Sequence, residues 1–151
     1  MAYEYHLTPE NGQKVFYDTD NLLKYTIWQQ DGLSDAELEA AILAGTAVPQ
    51  DVSGWLFAWT MRKKTNSPAA IIEKVSTLGI EITGSYNASP GLNTQRVEVQ
   101  LNDTDTYDPD GSPTVSVKPD SYVYALKRTN DGLEQILVYG KLKLLQAAAW
   151  E

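Results

Sequence analysis

The residues with the plainest capacity for chemistry are the acids of "NDTDTYDPDG", where Asp103, Asp105, Asp108 and Asp110 place four carboxylates ahead of Gly111. Hard oxygen ligands at short spacing are what a calcium ion takes. The spacing is not that of an EF-hand. With Asp108 and Asp110 at the third and fifth loop positions, Thr106 falls at the first and Val117 stands where a bidentate Glu is needed. Two readings stay open, a looser calcium loop and a solvated polar turn, and turn chemistry alone accounts for the second. Glycoside hydrolysis takes two carboxylates about 5 to 9 Å apart. Glu73, Glu81 and Glu98 lie on candidate strands, but their spacing singles out no pair. His6 is the single histidine and cysteine is absent. A Ser-His-Asp relay, a multi-histidine metal centre, a thiolate nucleophile and a disulfide framework are thereby excluded. No glycine-rich turn precedes a helix, as a phosphate loop would require. Asn87 and Asn102 match the glycosylation triplet, a pattern that also arises by chance. The expectation is a protein without catalysis, cofactor or resident metal.

Aromatic side chains are the remaining resource. In "PQDVSGWLFAWTMRKK", Pro49 to Lys64, Trp55, Phe57, Trp59 and Met61 point to one side of a strand while Leu56, Ala58, Thr60 and Arg62 point to the other. The first set is far more apolar, so it reads as core. Val97, Val99 and Leu101 on one run, and Tyr122, Tyr124 and Leu126 on another, supply matching inner faces. Tyrosines outside the strands suit a contact surface, because tyrosine offers area at little entropic cost. Tyr3, Tyr5, Tyr17, Tyr86 and Tyr107 are therefore candidate interface residues, joined by Leu38, Ile42 and Trp150. The cluster Arg62, Lys63 and Lys64 reads as a solvated strand edge that guards against mispairing.

Period-two alternation dominates the elements that must position these residues. Candidate strands are Leu22 to Gln29, Trp55 to Arg62, Ala70 to Val75, Ile80 to Thr83, Arg96 to Leu101, Ser121 to Arg128, Glu134 to Tyr139 and Lys141 to Gln146. Turns are expected at "SGW", "TLGI", "TNDG" and "YGK", the third joining "YVYALKR" to "LEQILVY" as a hairpin. One segment departs from the alternation. "LSDAELEAAILAG" has Ser34 and Glu37 as a capping box and Gly45 as a C-terminal cap, which predicts a helix over about 34–44. Its stripe of Leu38, Ala41, Ile42 and Gly45 should pack on the strands. The fold class expected is mainly β, an antiparallel sandwich of about eight strands with one short inserted helix. Residues 1–18 read as an N-terminal arm, 19–146 as the sandwich domain and 147–151 as a tail, with loops at Gly84 to Thr94 and Tyr107 to Pro119.

At 151 residues the chain suits one domain. Its net charge of −8 should repel a nucleic-acid backbone. No basic segment leads into an apolar run and no window reaches the roughly 18 apolar residues of a membrane span, so neither nucleic acid nor membrane is an expected partner.

Taken in order, "DTDNLLKYTIWQQDG", "DVSGWLFAWTMRKK", "RVEVQLNDTDT", "VKPDSYVYALKRTNDG" and "ILVYGKLKL" resemble a module of tailed-bacteriophage virions, best known as the N-terminal Ig-like domain of baseplate upper proteins and related tail, neck and fibre proteins. "DVSG" at Asp51 to Gly54 stands for the family's turn, Asp105-Thr106 for its Asp-Thr step, Tyr122 and Tyr124 for its tyrosine strand, and Asp131-Gly132 for its hairpin. Two insertions depart from the pattern, the helix-bearing stretch between Gly32 and Asp51 and the extended "YDPDGSPTVS"; "PDS" at Pro119 to Ser121 also lacks the glycine usual before the tyrosine strand. The resemblance implies an Ig-like fold and a non-catalytic virion structural protein, made in the host cytoplasm. Its implied partners are other virion proteins and further copies of itself in a symmetric oligomer. The competing expectation is a carbohydrate-binding module or adhesin, calcium-dependent through the acidic run.

Overall fold

A computed structural model describes residues 3–4, 13–16, 21–30, 32–63, 70–102, 120–130 and 135–145. Among these residues the chain is mainly β with one helix. In order the elements are β1 (Tyr3–Glu4), β2 (Gln13–Phe16), β3 (Asn21–Tyr25), β4 (Trp28–Gln29), α1 (Asp35–Ala44), β5 (Phe57–Arg62), β6 (Ile72–Ser76), β7 (Gly79–Thr83), β8 (Arg96–Leu101), β9 (Asp120–Arg128) and β10 (Gln135–Leu145).

The sandwich expected from the sequence is not what the ladder draws. Eight strands form one mixed sheet in the order β2-β10-β9-β5-β6-β7-β8-β3, curled into a half-barrel, while β1 pairs with β4 separately. The curl has its origin between β6 and β7. These two are a single run of chain bent at Thr77 and Leu78, pairing in parallel only at Val75 with Gly79 and Ser76 with Ile80. The bend is closed by Leu78 N–H donating to Val75 O at 2.9 Å and Thr77 N–H to Ile80 O at 3.1 Å. Thr77 at φ 72° and Gly79 at φ 108° take up the bend. On one side of the bend the run pairs with β5, on the other with β8, as a strand turning a sheet corner does. The curl must also bring the two edges together. β2 and β3 lie at opposite ends of the sheet, yet Phe16 and Asn21 are separated by residues 17–20 alone, a reach of about 18 Å at most.

The concave side holds the core. Leu23 and Tyr25 of β3, Phe57, Trp59 and Met61 of β5, Val97, Val99 and Leu101 of β8, and Tyr122, Tyr124 and Leu126 of β9 belong to one buried cluster. The alternation in "WLFAWTM" is therefore core, as its pattern implies. Trp59 sits at the centre, fully buried. Its indole Nε1 donates to the Tyr25 hydroxyl at 3.1 Å, so the centre of one half of the sheet is tied to the edge strand of the other. The Tyr124 ring lies 6.1 Å from both Trp59 and Tyr25. Burial holds the Tyr25 hydroxyl well above its ordinary pKa, with Tyr124 adding to the effect.

Several expected boundaries shift for identifiable reasons. The predicted run Leu22 to Gln29 is interrupted at Thr26 and Ile27, leaving β3 and β4. "YGK" is not a turn. Gly140 lies within β10, opposite Tyr124 of β9, and a Cβ there would come within 3.3 Å of the Tyr124 ring and hydroxyl. Glycine is used at this position to seat an aromatic side chain across the pair. A bulge between Ile136 and Val138 carries Leu137 inward, where it is fully buried. The capping box of α1 is present, with Glu37 N–H donating to Ser34 Oγ at 3.2 Å and Ser34 N–H to Glu37 Oε1 at 3.1 Å. Gly45 closes the helix at φ 76°. The helix packs on the short strand β4 and the segment after the helix, apart from the main core. Leu38, with Ala41 and Ile42 beside it, packs on Trp28 and Ala47 in a second, smaller cluster.

Candidate functional site

A groove of about 560 Å³ lies on the convex face of the sheet. Its shape follows from side-chain length and register. Glu73 of β6, Thr60 of β5, Ala125 of β9 and Tyr139 of β10 form one row across four strands. Arg62, Val123 and Lys141 form the next row, and Lys127 with Ile136 the third. Thr60, Val123 and Ala125 are short and make a floor. Arg62, Lys127, Tyr139 and Lys141 are long and stand around it as walls. The groove is mostly apolar in lining, with Ile136 54% and Tyr139 55% exposed. Among the described residues that line it, the cations Arg62, Lys127 and Lys141 stand with one carboxylate, Glu73, on a chain whose total charge is −8. The reading of Arg62 as part of a strand edge is thus corrected. β5 is interior, paired with β6 and β9; Arg62 lines the groove, and Lys63 Nζ lies 5.0 Å from the Tyr122 ring centroid.

A second polar centre surrounds "DVSG". Asp51 Oδ1 accepts from Ser53 Oγ at 2.6 Å, Ser53 N–H at 3.0 Å and Gln95 Nε2 at 3.1 Å. Gln95, buried, accepts from Val52 N–H at 3.0 Å. Asn130 accepts from Leu56 N–H and donates to Gly54 O, and the Arg128 guanidinium sits 4.0 Å above the Trp55 ring. These bonds fasten the turn before β5 to the start of β8 and the end of β9, and the Ser53 hydroxyl is committed to Asp51. The Ser53 hydroxyl above all, then its backbone N–H and the Gln95 amide, hold the Asp51 carboxyl below its usual value of 3.8. A depressed folded-state pKa contributes stability that is present above the unfolded value and lost as pH falls through the folded one. Asp51→Asn is expected to flatten the fall of Tm below about pH 4, measured by thermal melts of both proteins across pH 2.5 to 6.

The carboxylates singled out from the sequence separate into two places. Glu81 and Glu98 are direct cross-strand neighbours on β7 and β8, with Lys24 of β3 on the other side of Glu98, 3.8 Å away. Glu73 stands apart in the groove row. Among the interface candidates, Leu38 is fully buried in its own chain and offers no surface, while Ile42 is half-buried against the same cluster. Tyr86 is half-buried, its hydroxyl donating to Pro49 O at 2.9 Å, which pins the 84–94 loop to the chain entering β5. Tyr3 lies in β1 opposite Gln29. Tyr5, Tyr17, Tyr107, Trp150 and the acids Asp103, Asp105, Asp108 and Asp110 fall outside the described residues. Among the described residues no group of three or more His, Asp or Glu side chains is placed to hold a metal ion, and no helix is long and apolar enough to cross a membrane. The groove was missed in the sequence because its rows exist only once the register of four strands is known. The chain matches no known protein-family model and no curated protein.

Proposed function

We propose that this chain is a non-catalytic structural component of a tailed-bacteriophage virion, a tail, baseplate, neck or head-attached adaptor. It acts by protein–protein contact with copies of itself and with neighbouring virion proteins. In this reading the two halves of the curled sheet correspond to the two sheets of an Ig-like domain, with β6 and β7 as the strand that crosses between them. The observation that carries the reading is the placement of the family-like landmarks. The "DVSG" turn, the Val97-Val99-Leu101 strand and the Tyr122-Tyr124 strand converge on one scaffold, and that scaffold leaves an apolar, cation-bordered groove on its outer face. A groove of this kind suits macromolecular contact better than duplex recognition on so acidic a chain.

The carbohydrate-binding alternative needs exposed tryptophan. Trp28, Trp55 and Trp59 are all buried, so a sugar platform would have to be built on Trp150 and tyrosines. Negative-stain electron microscopy of the purified full-length protein tests the assembly reading. Closed particles with rotational symmetry are expected. Particles of monomer size throughout, together with a rise in melting temperature on adding calcium or a glycan, would overturn it in favour of the alternative.

A further inference from the structure

We infer that the outer-face groove is the docking site for helix α1 of a second copy of this chain, so that copies join helix to groove. This rests on the self-assembly reading above and names the contact that would carry it.

The helix is anchored to its own chain through Leu38 against Trp28 and Ala47, which leaves its opposite side outward. That side is unusual in two respects. The charge it carries is the exposed Glu39 carboxylate, with no basic residue in the helix; Asp35 is bonded to Gln30 and Glu37 closes the capping box. That side also carries Leu43, 84% exposed and the most exposed large apolar side chain among the described residues. Glu39 and Leu43 are four positions apart and so share one face. The groove offers the converse set, apolar side chains for a leucine and the Lys141 ammonium at its border for the Glu39 carboxylate. The dimensions also agree. Ten residues of helix are about 15 Å long, and four strands span about 14 Å between the outer two. Laying a short helix with one apolar anchor into a groove is a familiar mode of recognition. Because helix face and groove are different patches, the contact is heterologous wherever it is not exchanged reciprocally across a two-fold axis. Such contacts repeat from copy to copy and close into a ring where the rotation permits.

Sedimentation velocity on the full-length protein over a concentration series tests this, with thermal melts showing that each variant folds. Leu43→Asp on the helix and Lys141→Glu on the groove border are each expected to weaken association about tenfold or more at unchanged Tm. Mixed in equal amounts, the two variants should form one-to-one dimers that grow no further, since only the helix of one and the groove of the other are intact. Glu39→Lys combined with Lys141→Glu should recover part of the association lost by either change alone. If the wild-type protein associates and neither single variant alters it, the contact lies elsewhere and this inference falls while the assembly reading stands. If the wild-type protein is a monomer at every concentration, both fall.

Discussion

Trp59→Ala is expected to lower the unfolding free energy by about 3–5 kcal/mol, read from the denaturant midpoint in urea. The size follows from position. Trp59 is fully buried at the centre of the main cluster, and its indole N–H holds the Tyr25 hydroxyl of the opposite edge strand. Truncation therefore opens a large cavity and leaves a buried hydroxyl without its donor. Two tyrosine variants separate these contributions. Tyr25→Phe removes the acceptor from a buried donor and should cost about 1–3 kcal/mol. Tyr124→Phe should cost less, because the buried Tyr124 hydroxyl has no hydrogen-bond partner among the described residues. A Trp59→Ala protein within about 1 kcal/mol of wild type would contradict the placement of this residue at the junction of the two halves.

Gly84→Ala should cost at least about 2 kcal/mol. Gly84 begins the 84–94 loop at φ 73°, where an L side chain is strained, and a Cβ there would collide with the carbonyl of Thr94. The collision cannot be relieved locally, because Thr94 N–H is bonded to Ser85 O at 3.0 Å and Ser85 N–H to Thr94 Oγ1 at 2.9 Å. Inside this closure Asn93, buried, accepts from Asn87 N–H, so the whole loop depends on the same close approach. Gly91, with open space around its Cα, supplies the control: Gly91→Ala should be near neutral. Equal losses at the two positions would show that the loop is held by something other than the Gly84–Thr94 contact.

What was legible in the sequence is what depends on neighbours along the chain. The inward faces of β5, β8 and β9 follow from period-two alternation, and every one of Phe57, Trp59, Met61, Val97, Val99 and Leu101 is buried as that pattern requires. The capping box at Ser34 and Glu37 is local in the same sense. What depends on neighbours across the sheet was not legible. The glycine at 140 looks like a turn until the ring of Tyr124 is seen opposite it. Arg62 looks like an edge residue until β5 is found between β6 and β9. The apolar stripe of α1 carries no record of whether its partner is the main core or, as found, Trp28 and Ala47. The groove needs the register of four strands at once, and its short floor residues Thr60 and Ala125 have no special pattern in their own segments.

The central claim is that this chain works by assembling, and its most direct test is the solution mass of the purified full-length protein by light scattering, across a concentration series and with and without calcium. The account predicts a defined oligomer whose mass is independent of calcium and settles at an integral multiple of the 16.7 kDa chain. A mass of one chain at every concentration, or a mass that changes only when calcium is added, would contradict it.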